Sequence, residues 1–139
     1  MSKILKIRAR QVFDSRGNPT IEAEVYSKNS SASAICPSGA STGTYEAFEK
    51  RDKNNQKYLG KSVLSAVNLI NTKISKKLSG TSIHDQVRID TTLINLDGTR
   101  QKTSLGANTI LAVSMASKKL SAKIKNVPLY KTFLVKNNY

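Results

Sequence analysis

The residues best suited to chemistry lie in one loop, residues 37–43, which carries three hydroxyl side chains and two glycines after a proline. Pro37 has no N–H to give to a sheet, and Gly39 and Gly43 can adopt backbone angles that are barred to other residues, so the loop can change shape at little steric cost. Free backbone amides bind phosphate oxygens, and serine oxygens suit Mg²⁺. The pattern predicts a mobile lid over a hard ligand or, alternatively, an ordinary connector between a strand and a helix.

Other kinds of catalytic site find little support in the sequence. His84 is the single histidine, which excludes a metal cluster built from several histidines, and its place near a predicted helix start favours a surface or cap role over a Ser-His-Asp arrangement. Only three carboxylates follow residue 60, namely Asp85, Asp90 and Asp97, and they form no evident acid/base pair. Neither a Walker-type loop nor a dinucleotide glycine fingerprint is present.

The elements that must position the loop begin with two segments in which apolar and polar residues alternate. Residues 4–13 place apolar and basic side chains on opposite sides, and residues 20–26 alternate again after a turn at residues 14–19. The inward set comprises Leu5, Ile7, Ala9 and Phe13 on the first strand, and Ile21, Ala23 and Val25 on the second. The second strand is expected to return antiparallel, with Glu22 and Glu24 opposite the outward bases of the first strand, which are Lys6, Arg8 and Arg10. A third strand over residues 32–36 ends at the lid.

Helical periodicity follows a charged loop at residues 44–57. From Lys61, apolar residues recur every three or four positions and stop at Gly80. Ser82 and Asp85 resemble the N-terminal cap of a second helix that ends at Gly98. Gly106 opens a third helix lined with small residues, and residues 129–135 form a last short one. The chain is therefore predicted to be α+β, a three-stranded antiparallel meander followed by three to four α-helices packed on one face.

Composition limits the class of protein further. A chain of 139 residues with one cysteine, Cys36, and neither a secretory leader nor a membrane span fits one domain in the reducing cytoplasm. Its net charge of +14 comes from 23 basic and 9 acidic residues. The cations are scattered and lack interleaved aromatic residues, which argues against nucleic acid as a partner. Solvated helix faces or a bias towards AT-rich codons explain the charge.

Several motifs together show a resemblance that none shows alone. They are Asp14-Ser15-Arg16-Gly17-Asn18-Pro19-Thr20, Pro37-Ser38-Gly39-Ala40-Ser41-Thr42-Gly43, Glu46-Ala47, Arg51-Asp52, Leu96-Asp97-Gly98-Thr99 and Gly106-Ala107-Asn108-Thr109-Ile110-Leu111-Ala112-Val113-Ser114. In this order they closely resemble the N-terminal domain of enolase, from Lys3 to about Lys131. The strong positive charge departs from that family, whose bacterial members tend to be acidic.

The resemblance implies a specific role for the lid. Enolase dehydrates 2-phosphoglycerate to phosphoenolpyruvate with Mg²⁺, and residues 1–139 would form its lid-bearing domain. Ser41 matches the serine whose hydroxyl and carbonyl oxygens bind the second Mg²⁺, while Ser38, Gly39, Ala40, Thr42 and Gly43 complete the substrate lid. The family's catalytic base and acid belong to the C-terminal barrel domain, so no catalytic residue is assigned to this chain.

The resemblance also implies partners. Arg10 and Glu22 match positions that form ion pairs with the partner's barrel across the homodimer interface of the complete enzyme, although they could equally pair with each other across the two strands. We expect the chain alone to be inactive without an enolase barrel. A second hypothesis is a stand-alone basic module, derived from an enolase N-terminal domain, that binds an anionic polymer or an enolase-like partner.

Overall fold

The computed structural model describes residues 2–39 and 41–133. Its sheet consists of β1 (Lys6–Phe13), β2 (Pro19–Tyr26) and β3 (Ser31–Ile35) in the order β1-β2-β3, with both neighbouring pairs antiparallel. The predicted meander is confirmed.

The predicted register between the first two strands is also confirmed. Arg10 lies opposite Glu22, and Arg8 lies opposite Glu24. The Arg10 guanidinium bridges both glutamates, with N–O distances of 3.1 Å to Glu22 and 2.9 Å to Glu24. This face of the sheet is therefore lined by paired charges, whereas Ile21 on the opposite face is fully buried.

Two residues assigned to the inner face of β1 are exposed instead. Leu5 is 56% and Phe13 is 52% exposed, so the prediction was wrong at both ends of the strand. Leu5 lies just before β1. There the main chain of Ile4 exchanges hydrogen bonds with residues 80 and 81, and the side chain of Ile4, rather than that of Leu5, is buried in the core. Phe13, the last residue of β1, packs edge-on against Tyr58, with 5.3 Å between ring centroids.

The first predicted helix is interrupted by a wider turn. It comprises α1 (Leu64–Leu69), a π-helical turn (Ile70–Ile74) and α2 (Ser75–Leu78), and it is preceded by a 3₁₀ turn (Tyr58–Gly60). In the π turn, Asn71 accepts a hydrogen bond from the Ala9 amide at 2.7 Å and donates one to the Ala9 carbonyl at 3.1 Å. The Asn71 side chain therefore closes the free edge of β1 in the way that another strand would.

Helix α3 (Gln86–Asp97) begins later than the sequence predicts. Asp85, rather than Ser82, is its N-cap and accepts a hydrogen bond from the Arg88 amide at 3.0 Å. Val87 points outward and is 77% exposed, because the inner face of α3 follows Ile89 and Leu93. The predicted end is confirmed, since Gly98 adopts a left-handed φ of 72°.

Helix α4 (Ala107–Ile124) covers β2 and β3, while the helical segments from α1 to α2 cover β1. Its small residues Ala112 and Ala116 are fully buried, which lets the helix approach the sheet closely, as predicted. A 3₁₀ helix (Leu129–Phe133) follows, and the remainder of the predicted last helix lies outside the described residues. The fold is thus α+β, with helices on one face of the sheet.

Candidate functional site

The lid leaves the sheet at a buried and well-fixed point. The Cys36 amide donates to the Ile21 carbonyl at 2.9 Å, and the Thr20 hydroxyl donates to the Cys36 carbonyl at 2.5 Å. Burial raises the pKa of the Cys36 thiol to about 11, so the thiol is protonated and unreactive at neutral pH. Cys36 is therefore a structural residue at the end of the sheet.

The tip of the lid faces solvent. Ser41, Thr42 and Gly43 are exposed, and the Gly43 carbonyl accepts a hydrogen bond from the Glu46 amide at 3.3 Å; Ala40 lies outside the described residues. Serine oxygens are of the kind that Mg²⁺ binds, so Ser41 fits the role of one ligand. Across residues 2–39 and 41–133, however, no three carboxylate, histidine or cysteine side chains cluster to hold a metal.

The base of the lid is held by Arg16. Its guanidinium donates to the Ser38 carbonyl at 3.2 Å and to the Gly39 carbonyl at 3.3 Å. Asp14 organises the turn that carries Arg16 by accepting hydrogen bonds from the Arg16 and Asn18 amides, each at 2.9 Å. The hydrogen bond from Asn18 is the main cause that lowers the pKa of Asp14, so this carboxylate stays ionised.

A second arginine, Arg51, joins the lid to the strands. It donates to the Pro19 carbonyl at 2.9 Å, to the Lys61 carbonyl and to the Glu49 carboxylate at 2.9 Å. The Ser38 hydroxyl lies 3.4 Å from both the Arg51 guanidinium and the Glu49 carboxylate. Only 16% of the Arg51 side chain is exposed, so its hydrogen bonds are partly shielded from water. Ser38 is therefore anchored, whereas Ser41 is exposed to solvent.

The far side of the lid is tied to the start of α4. The Phe48 amide donates to the Gln101 carbonyl, and the Phe48 carbonyl accepts from the Ala107 amide, both at 2.7 Å. Lys50 and Asn108 exchange two further hydrogen bonds of 2.9 and 3.0 Å. Gly106 permits this close approach, because a Cβ at that position would stand 2.5 Å from the Lys50 Cβ.

The loop between α3 and α4, which carries Gln101, is organised by Asp97. This carboxylate accepts hydrogen bonds from the Leu105 amide at 2.7 Å and from the amide and hydroxyl of Thr99. Burial by itself would raise the pKa of Asp97, but the hydrogen bonds from Thr99 and Leu105 outweigh it and lower the pKa. An ionised, buried Asp97 therefore supports the residues to which the lid is tied.

Comparison with known proteins identifies the family. Residues 4–133 match the family described as "Enolase, N-terminal domain". The chain belongs to the enolase family. It is 89% identical over all 139 residues to a protein named "Enolase" from Pelagibacter ubique (strain HTCC1062), and it spans 33% of the length of that relative.

The positions expected at the enolase dimer interface lie on the outer face of the sheet. Arg10 and Glu22 bond to each other, and the Arg10 side chain remains 57% exposed. The structure therefore contains the cross-strand pair, and a role across an interface stays a prediction.

His84 is exposed, as expected, and its Nδ1 lies 2.9 Å from the Ser121 hydroxyl. Partial burial, followed by the charge of Lys125, lowers the pKa of His84, which favours the neutral ring at pH 7. Among the described residues, no helix is long and apolar enough to span a bilayer.

Sequence reasoning missed the residues that anchor the lid. Arg16, Arg51, Asp97 and Asn108 all lie within the motifs of the resemblance, but no role was predicted for them. Asp52 was missed too: its carboxylate accepts hydrogen bonds from the Leu64 and Ser65 amides, each at 3.0 Å, and so caps α1. The one signal available was that these motifs occur together with the lid.

Proposed function

We propose that this chain forms the lid-bearing domain of a phosphopyruvate hydratase, the cytoplasmic enzyme that dehydrates 2-phosphoglycerate to phosphoenolpyruvate in glycolysis and gluconeogenesis. One observation carries the proposal: an exposed, hydroxyl-rich tip extends from a base held by Arg16 and Arg51. A fixed base and a free tip are what a loop needs to close over a substrate and exclude water.

The chain's own contribution to the reaction is limited to the lid. Removing a weakly acidic proton next to a carboxylate requires a positioned base and positive charge, and Mg²⁺ supplies that charge when bound. Ser41 would contribute oxygen ligands, whereas the base, the acid and the carboxylate ligands would come from the barrel. The remaining two thirds of the Pelagibacter relative correspond to that barrel in this proposal.

The complete enzyme would be a homodimer with Arg10 and Glu22 at its interface. Their position supports this, because an exposed arginine on an uncovered sheet face can exchange its cross-strand partner for a carboxylate of another subunit.

Replacement of the lid serine tests the proposal in the chain rejoined to an enolase barrel. We expect Ser41→Ala to lower turnover at limiting Mg²⁺ by roughly 10- to 100-fold, the usual range for losing one supporting group at a metal site. Thr91→Ala removes an exposed hydroxyl from α3 and serves as the control. Equal rates of phosphoenolpyruvate formation in the two variants would refute the assignment of Ser41.

A further inference from the structure

Two serines of the lid have opposite surroundings. The Ser38 hydroxyl lies between Glu49 and Arg51, and its carbonyl accepts a hydrogen bond from Arg16. Ser41, three residues later, is exposed to solvent. Ser38 and Gly39 are therefore bound to the body of the domain and form the first boundary of the lid.

Arg16 is itself well placed to hold that boundary. Its main chain is fixed by the hydrogen bond to Asp14, and the Asp14 carboxylate also lies 3.9 Å from the guanidinium. The side chain thus extends from a closed turn to two successive carbonyls, those of Ser38 and Gly39. Both hydrogen bonds come from the same guanidinium nitrogen, Nη2, whose orientation is fixed by the planar group, whereas a lysine ammonium ends a flexible stem.

The other boundary lies at Phe48, where the main chain is tied to Gln101 and Ala107. A loop held at both ends loses less conformational entropy when it closes than one whose ends also move, since each additional residue that must be ordered costs about 1 to 2 kcal/mol.

We propose that Arg16 is a positioning residue that fixes the first hinge of the lid at Ser38 and Gly39. The role of this hinge in catalysis rests on the proposed lid function. Its physical claim, that the Arg16 side chain restrains the lid, can be measured without turnover.

Amide hydrogen exchange of the 139-residue chain, resolved by peptide, tests the hinge. Loss of the Arg16 hydrogen bonds in Arg16→Gln is expected to accelerate exchange in peptides spanning residues 38–47 by about three- to tenfold, as for one modest hydrogen bond. Arg16→Lys keeps the charge and a donor nitrogen on a shorter, more flexible side chain, so it should restore part of the protection. Arg88→Gln, which removes an exposed arginine from α3, should change nothing in these peptides.

Two other outcomes would contradict the role of Arg16 at the hinge. Exchange in residues 38–47 that stays within experimental error of the unaltered chain would show that Arg16 does not restrain the lid. Faster exchange spread equally over the lid and β2 in both Arg16 variants would show that Arg16 only stabilises the fold. Because the measurement needs no barrel, its failure is distinct from failure of the proposed function, which a lack of phosphoenolpyruvate formation by the rejoined enzyme would reveal.

Discussion

At the scale of single residues, identical amino acids acquire different tasks from their neighbours. Ser38 and Ser41 share a loop, yet one hydroxyl lies 3.4 Å from both an arginine and a glutamate and the other is exposed. Likewise, Asp97 and Asp85 both accept amide hydrogen bonds, but only Asp97 is buried. Residue type therefore indicates what a position can do, and the three-dimensional surroundings decide what it does.

Gly106 gives a prediction at this scale. Its φ of +93° disfavours any side chain, and a Cβ would also collide with the Lys50 Cβ at 2.5 Å. Gly106→Ala should lower the free energy of unfolding by roughly 2 to 5 kcal/mol, combining backbone strain with overpacking. Gly80→Ala is the matched control, since its φ is +83° but no atom lies within 4 Å of the added Cβ. Equal urea denaturation midpoints for the two variants would argue against the close approach at Gly106.

At the scale of elements, local patterns predicted most of the architecture. Alternation predicted the three strands and the pairing of Arg10 with Glu22, and helical periodicity predicted the helices that cover the sheet. What the patterns missed depends on contacts between distant parts of the chain. The turn around Asn71 pairs with Ala9, 62 residues earlier, and Asp52 caps a helix 12 residues later.

The same reasoning explains how much of the site could be predicted. The loop at residues 37–43 was predicted to be a lid from its own composition and motif, because glycine and hydroxyl residues determine local backbone freedom and ligand chemistry, and its role stays a prediction. Its anchors could not be assigned, because Arg16 reaches Ser38 across 22 residues and Lys50 meets Asn108 across 58. No periodicity links such pairs, and only the fold brings them together.

The contact between Asn71 and the edge of β1 gives a testable prediction at the scale of elements. Removing its amide in Asn71→Ala leaves the amide and carbonyl of Ala9 without their side-chain partner at the edge of β1. We expect a loss of about 1 to 2 kcal/mol in the free energy of unfolding, because both groups lie near solvent and water replaces part of each bond. The control is Asn68→Ala, an exposed position in α1. Chemical denaturation that gives both variants the same stability would contradict the role of Asn71 as an edge partner.

At the scale of the whole molecule, charge is the dominant property. Within residues 2–39 and 41–133, every ion pair is made by an arginine. The lysines there contact carbonyls, amides or aromatic rings, or project into solvent, as Lys61 and Lys6 illustrate. This arrangement agrees with solvated helix faces as the source of most of the +14 charge.

The carboxylates predict how stability depends on pH. Hydrogen bonds lower the pKa values of Asp14 and Glu24 and, despite the opposing effect of burial, those of Asp52 and Asp97. Because these pKa values are lower in the folded state than in the unfolded chain, the stabilisation is complete above about pH 5 and is lost as pH falls through the folded values. Loss of negative charge also increases repulsion among the many cations.

The melting temperature measured by circular dichroism should therefore fall steeply between pH 5 and pH 3, and less steeply in added salt, which screens the repulsion. His84, whose pKa is also lowered in the folded state, adds a smaller loss that begins as pH falls below about 6.5. A melting temperature that stays constant from pH 5 to pH 3 at low ionic strength would contradict the assigned hydrogen bonds.

The central claim is that this chain supplies an enolase lid and none of the groups that remove the proton. The most direct test is phosphoenolpyruvate formation from 2-phosphoglycerate with Mg²⁺, measured for the purified chain, for a separately expressed enolase barrel, and for the two together. Host enolase must be excluded, for example by purification from a strain that lacks it. We expect no product from the chain alone and turnover from the mixture above that of the barrel alone. Mg²⁺-dependent product from the chain by itself would contradict the claim.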